Sequence, residues 1–350
     1  MAESLSIFLT ALIKAVIILF GVFLPGAAGS VYFERKISAW IQNRVGPNRV
    51  GPFGILQPIV DVIKLIIKED IIPLVADKRF HALAPVIAVT TAMATFAVMP
   101  FGNFIMIGDL RIDLSIASNV NVALLYVLAV GSVSVYSITF AGWSSNNKYS
   151  MLGGLRSASQ MISYELSMGL SLIGVIMIAG TTSLHGIVEA QSNMKWNVFT
   201  QPLGFIIFLV ASFAETNRSP FDLPEAEPEL VGGYNTEYAG MKWGMFFLAE
   251  YGHMIAASGM ISTLFFGGYD VPFVKDLLPS IFYNGSILLG LMQVGFFLTK
   301  IAFFAFFFIW VRWSLPRFRY DQLMDLGWKV MMPLALVNII ITALVMYFLR

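Results

Sequence analysis

An all-α integral membrane protein, with about eight transmembrane helices and an amphipathic helix on the cytoplasmic side in its first loop, is what this sequence predicts. Three observations carry that prediction. The 350 residues are 57% hydrophobic and only 12% charged, with a mean hydropathy of +0.77, against roughly 25% charged residues in an ordinary soluble domain. Apolar stretches long enough to cross a bilayer recur from one end of the chain to the other. The charges are gathered into the connections between them, so the net charge of +1 hides a segregation and says nothing of nucleic-acid or acidic partners.

A helix needs about 20 mainly apolar residues to span a membrane. Stretches of that kind lie at roughly 7–33, 80–100, 120–141, 159–180, 198–215, 243–266, 281–311 and 328–349, within one membrane domain over residues 1–350. The first has no basic residues ahead of its apolar run and reads as a retained span, not a cleaved signal. Trp143 follows the third, Trp243 opens the sixth, Trp310 closes the seventh and Trp328 opens the eighth, which suits interfacial aromatic belts. Lysines and arginines number eight in 34–79, two in 142–158, two in 216–242 and four in 312–329, whereas the other three connections hold only Arg111, Lys195 and Lys275. The positive-inside rule puts the odd-numbered loops in the cytoplasm and both termini on the opposite side.

Within the first loop, GILQPIVDVIKLIIKED places Gln57, Asp61, Lys64 and Lys68 on one helical stripe, with Ile59, Val62, Ile63, Ile66 and Ile67 elsewhere. Such a helix, about 55–69, is too short and too polar to span and is expected to lie in the interface. Ahead of it, ERKISAWIQNRVGPNRVGPFG reads as a loop broken twice by RVGP.

Ionisable groups at membrane depth cost at least about 2.5–3.5 kcal/mol each, so they mark function by default. Lys14, Glu165, Glu215, Glu250, His253 and Lys300 are of this kind. Glu250 and His253 stand three apart on one helix face, where a proton can pass between them. Glu165 sits in a helix carrying Ser157, Ser159, Ser163, Ser167 and Ser171, a pattern that suits either a hydrated path or close helix contact. The stretch NRSPFDLPEAEPEL sets Asp222, Glu225, Glu227 and Glu229 against a single Arg218, with prolines at 220, 224 and 228 that forbid a regular helix. Crowded carboxylates raise one another's proton affinity, so the cluster reads as an antechamber for protons leading toward Glu215, Glu250 and Glu165, or as an acidic loop docking a basic partner.

There are no cysteines and only three histidines, His81, His185 and His253. Disulfides, thiolate zinc sites and cysteine-bound iron–sulfur clusters are therefore excluded from this chain. A metal site is not expected.

The stretches ERKISAWIQNRVGPNRVGPFGILQPIVDVIKLIIKED, RSASQMISYELSMGLSL and FAETNRSPFDLPEAEPELVGGYNTEY resemble the membrane subunit of proton-pumping NADH:quinone oxidoreductase, respiratory complex I, the one lettered H in bacteria and numbered 1 in mitochondria. The resemblance runs over nearly the whole chain. It implies a heel subunit of a translocase, binding no cofactor by itself, with FMN and iron–sulfur clusters in partner subunits and quinone as substrate. It implies contacts with the peripheral-arm quinone-reducing and iron–sulfur subunits, with antiporter-like and small membrane subunits, and with lipid. By motif match, Glu34, Arg35, Arg44 and Asp61 belong to the quinone chamber, while Glu165, Glu215, Asp222, Glu225, Glu227 and Glu250, with His253, belong to the proton or coupling path. A multi-pass location in a bacterial inner membrane follows, with the mitochondrial inner membrane as the alternative. The rival readings are the anchoring subunit of a related membrane-bound hydrogenase or ferredoxin-driven complex, and a self-contained cation/proton transporter, for which inverted repeats are a usual sign and none is evident.

Overall fold

The computed structural model describes residues 2–107, 110–117, 120–192, 194–223, 230–272 and 286–349. Glu225, Glu227 and Glu229 lie outside the described residues. The chain is mostly helical. Helices α1 (Ala2–Ile18) and α2 (Leu24–Ile41) are joined by one π-helical turn, Leu19–Phe23; then come α3 (Gln57–Ile67), α4 (Lys78–Thr95), α5 (Ala123–Ser144), α6 (Lys148–Ala179), the short α7 (Leu184–Ala190) and α8 (Asn197–Thr200), α9 (Pro202–Glu215), α10 (Gly240–Phe265), α11 (Ile287–Ser314), α12 (Tyr320–Asp325) and α13 (Met332–Leu349), the last two joined by a second π turn, Leu326–Met331.

Among the described residues, five helices have the length and apolar content to cross a membrane: Leu9–Ile41, Ala123–Ser144, Lys148–Ala179, Ile287–Ser314 and Tyr320–Phe348. The apolar α9 is shorter. Helices α4 and α10 occupy the places of the second and sixth expected spans, but they carry Lys78, Arg79 and His81, and Lys242, Glu250 and His253, respectively.

Two local features depart from or add to the sequence reading. The first helix does not end at residue 33 but runs through ERKISAWI to Ile41, because nothing in that stretch breaks a helix. The loop begins only where the two RVGP turns do. The connection after α4, for which the sequence carries no stated element, contains a two-stranded antiparallel hairpin, Phe104–Ile107 against Leu110–Asp113.

Helix α6 packs on α5, α9 and α13, while α4 packs on α5 and α10, and α10 on α11. The approach of α5 to α6 is close: a Cβ on Gly142 would stand 2.6 Å from the Ser150 carbonyl oxygen. Small residues permit such contacts between membrane helices. The Ser159, Ser163 and Ser171 hydroxyls bond carbonyls of their own helix, and Ser163 also accepts from Trp328 Nε1 at 3.0 Å.

Two lysines suspected of function are tied to backbone. Lys300 Nζ donates to the carbonyls of Phe266 and Gly268, each at 2.7 Å, just beyond the C-terminus of α10, where carbonyl groups lack helical partners and a cation is favoured. Lys14 Nζ donates to Ser115 O at 3.2 Å.

The last helix is held to the bundle by a buried polar clasp. Gln201 Nε2 donates to Thr342 Oγ1 at 2.7 Å, and Asn338 Nδ2 donates to Gln201 Oε1 at 2.9 Å. Replacing Asn338 by Leu leaves Gln201 Oε1 without its donor in an apolar setting. The expected loss is about 1–2 kcal/mol, read as a lower unfolding temperature of the detergent-solubilised protein; an unchanged temperature would show the clasp to be dispensable.

Candidate functional site

The centre of the site is Arg218, which follows α9 and is 1% exposed. Its Nη1 lies 2.7 Å from Glu34 Oε2 on α2, and its Nε lies 2.7 Å from Glu250 Oε1 on α10. The first is an aligned hydrogen bond; the second is an ion pair without that alignment, and Nη2 finds no hydrogen-bond acceptor among the described residues. Glu34 Oε2 also accepts from the Tyr251 hydroxyl at 2.8 Å, and Glu34 Oε1 lies 2.8 Å from Arg312 Nη1. The Tyr251 ring stacks beneath the guanidinium at 4.1 Å, a favourable placement for a cation. Two carboxylates and two guanidiniums thus meet from four segments of the chain.

Local sequence explains how each arrives. Glu34 and Arg35 are helical neighbours about 100° apart around α2, so they face different ways. Glu34 enters the bundle, while Arg35 reaches Asp61 on α3 at 2.6 Å, where Gln57 Nε2 also donates to Asp61 at 2.9 Å. Glu250 and Tyr251 come from the middle of α10. Arg312 stands in the last turn of α11. Arg218 is fixed through its own loop: Gln160 Nε2 of α6 donates to Ala214 O at 2.8 Å and to Phe221 O at 2.7 Å.

Beside this cluster Asp222 pairs with Arg317 at 2.7 Å. Burial pushes the Asp222 carboxyl up to about 6; Arg317 opposes that rise and Glu250 adds to it.

Behind the cluster are two small cavities of about 40 Å³ each. The first is reached by Glu250, Asn217, Ser134 and Ser137; the second by Gly131, Thr95 and Ser212; Glu215, Thr216 and His253 border both. Each has room for more than one water molecule. Beyond them, Glu165 accepts a hydrogen bond from Ser132 Oγ of α5. Polar groups therefore continue from the Arg218 cluster to the middle of α5 and α6.

Of the residues singled out in the sequence, Glu34, Glu250, His253, Glu215 and Glu165 fall along this line, with Asp222 at its side. Arg35 and Asp61 pair separately. Arg44 is exposed, and its side chain donates to its near neighbour Gln42, Nε to Oε1 at 2.7 Å. Glu34, placed by motif with the chamber residues, pairs within the buried cluster. Arg218, Tyr251, Arg312, Arg317, Asn217 and Ser132 are additions from the structure. Arg218 had one signal in the sequence: it is the only cation in NRSPFDLPEAEPEL. An apolar cavity of about 480 Å³ also opens between the first helix and α11, lined by Pro25, Gly29, Phe33, Ile37, Ile301 and Phe306 among others.

The sequence model of the family described as NADH dehydrogenase matches residues 13–343. The chain is 56% identical to NADH-quinone oxidoreductase subunit 8 of Rhodothermus marinus, over 97% of this chain and 98% of that one. It is 53% identical to the NADH-quinone oxidoreductase H subunit of Salinibacter ruber, over 90% of each chain. It is 52% identical to the first NADH-quinone oxidoreductase H subunit of Cytophaga hutchinsonii, over 89% of this chain and 90% of that one. With the match spanning nearly all of its length, the chain belongs to the NADH dehydrogenase family, alongside these NADH-quinone oxidoreductase subunits.

Proposed function

We propose that this chain is the membrane subunit of a proton-translocating NADH:quinone oxidoreductase that links quinone reduction to proton movement, and that the Arg218 cluster is where the two are joined. The observation that carries this reading is one fully buried arginine bound at once to Glu34 and Glu250. A buried array with equal numbers of acids and bases is sensitive to any new charge nearby, since Coulomb interactions are strong where water is scarce.

In this reading the eight helical segments all cross a bacterial inner membrane. Helix α3, with Ile59, Ile63, Ile66 and Ile67 exposed, lies in the interface on the cytoplasmic side, and Arg35, Arg44 and Asp61 border the chamber that receives quinone. The apolar cavity beside Phe33 offers an approach suited to a hydrophobic tail. Partner subunits of the peripheral arm, carrying FMN and iron–sulfur clusters, deliver electrons. Quinone takes two electrons and two protons to become quinol, and until the protons arrive it carries added negative charge. That charge draws Arg218 and Arg312 away from Glu34 and Glu250, the carboxylates then take up protons, and the cavities beside Glu215 and His253 pass them toward Glu165 and the neighbouring membrane subunits. Asp222, Glu225 and Glu227 supply the cytoplasmic end of the route.

Three outcomes test the proposal. Glu225→Gln with Glu227→Gln in the assembled complex is expected to depress both NADH:quinone activity and proton pumping; full activity and pumping with normal assembly would remove the acidic loop from the route. Arg218→Leu, which strands Glu34 and Glu250 in a buried setting, is expected to cost about 3–5 kcal/mol and to prevent stable assembly, whereas Arg218→Lys should assemble with reduced turnover because one ammonium cannot replace the planar guanidinium. Normal turnover in Arg218→Lys would mean that charge alone suffices. For Asp222, the folded pKa lies above the ordinary 3.8, so its stabilising contribution is complete below that value and is lost as pH rises through about 6. Asp222→Asn should flatten the fall in unfolding temperature of the solubilised complex over that interval; an unchanged slope would assign it to other groups.

A further inference from the structure

We infer that Gly131 is a positioning residue, whose missing side chain gives the Glu215 carboxylate its place against α5, one residue from the hydroxyl that holds Glu165. The inference rests on the proposed proton route and adds to it the element that brings its two innermost carboxylates to one helix turn. A Cβ built on Gly131 would stand 2.7 Å from Glu215 Oε1, closer than real contacts allow, and the Glu215 carboxyl is all that it meets within 4 Å.

Glycine in the middle of a helix is about 0.5–1 kcal/mol worse than alanine, so a contact that alanine would spoil gives it a reason to be there. Backbone conformation supplies no such reason, because Gly131 is absent from the positions of positive φ. Other helical glycines behave differently. Gly21, Gly29, Gly169 and Gly295 face open space, and Gly142 and Gly154 let backbones approach. At Gly131 the close neighbour is the movable end of an ionisable side chain. An added methyl would therefore leave the helices in place and displace the carboxylate. It would also enter the second small cavity, which Gly131, Glu215, Thr216 and His253 all border.

The next residue completes the arrangement. Ser132 Oγ is a hydrogen-bond partner of both Glu165 Oε1 and the Leu128 carbonyl oxygen, the latter at 3.1 Å. A hydroxyl has one proton to donate and lone pairs to accept. It can donate to Glu165 when that group is ionised; when Glu165 carries a proton, Ser132 can accept from it and donate to Leu128. The hydroxyl thus serves both protonation states without a change of backbone. Gly131 and Ser132 together let α9 and α6 present their carboxylates to adjacent positions of α5.

The test compares Gly131→Ala, Glu215→Asp and their combination in the assembled complex in membrane vesicles, with Glu215→Gln as reference. Gly131→Ala should assemble normally and lower coupled NADH:quinone turnover about tenfold, a fraction of what a positioned proton-transfer group contributes. In the Glu215→Asp background, where the shorter side chain leaves room for the methyl, the same change should have little effect. A Gly131→Ala variant with full turnover, or one whose defect is equal in both backgrounds, would overturn the inference while leaving the proposed route intact. Full turnover and pumping by Glu215→Gln would instead sink the route. The placement is then decided by infrared spectroscopy of the carboxyl band that Glu215→Gln removes: Gly131→Ala should shift that band, and an unshifted band would overturn the inference.

Discussion

The burial of the Arg218 guanidinium is the constraint on which the rest of the structure depends. A charge of this kind is tolerated in a protein interior only when it is paired and hydrogen-bonded, and the partners here come from far along the sequence. Glu34 is 184 residues away. To satisfy Arg218, the last turns of the first helix, the middle of α10, the end of α11 and the loop after α9 must all converge at one depth. The close contacts of α5 with α6, and the grip of Gln160 on the Arg218 loop, are the packing that allows this convergence.

The convergence also explains why the chemistry is graded along the bundle. At one end, Arg35 and Asp61 form a pair open to solvent, with side chains 45% and 27% exposed, and such pairs contribute little to stability. Deeper in, pairs are buried and each member holds another in place. Deeper still, carboxylates stand beside small cavities and hydroxyl groups with no cation at ion-pair distance among the described residues. Ion pairing therefore falls off from the cluster inward.

Much of the helical fold was legible in the sequence because long apolar helices announce themselves by composition: each of the eight apolar stretches contains a helix, and five helices among the described residues are long and apolar enough to cross a membrane. Their ends were less legible. Residue 34 reads as a boundary because charge begins there, yet the helix continues, since helix formation responds to propensity and breakers and not to polarity. The hairpin at 104–113 is short and lies between two stronger signals. In the site, the carboxylates were visible individually as expensive residues, but their pairing was not, because sequence neighbours such as Glu34 and Arg35 part company on a helix and distant residues such as Arg218 and Glu34 meet. Gly131 and Ser132 carry no charge and gave no signal at all; only the distance to Glu215 and the bond to Glu165 distinguish them from ordinary small residues of a packed helix.

The π turn at Leu19–Phe23 has a geometric consequence for everything beyond it. Such a turn adds one residue to a helix, and each residue advances the helix by about 100°. The half that precedes it and the half that follows are therefore indexed to different surroundings, like two gears on one shaft set out of phase. The outer half can follow the demands of lipid, and the inner half can aim Glu34 at its partners, without either compromising the other. Length and greasiness of the segment are blind to this offset; what it sets is angle, and through angle the identity of the residue that enters the bundle.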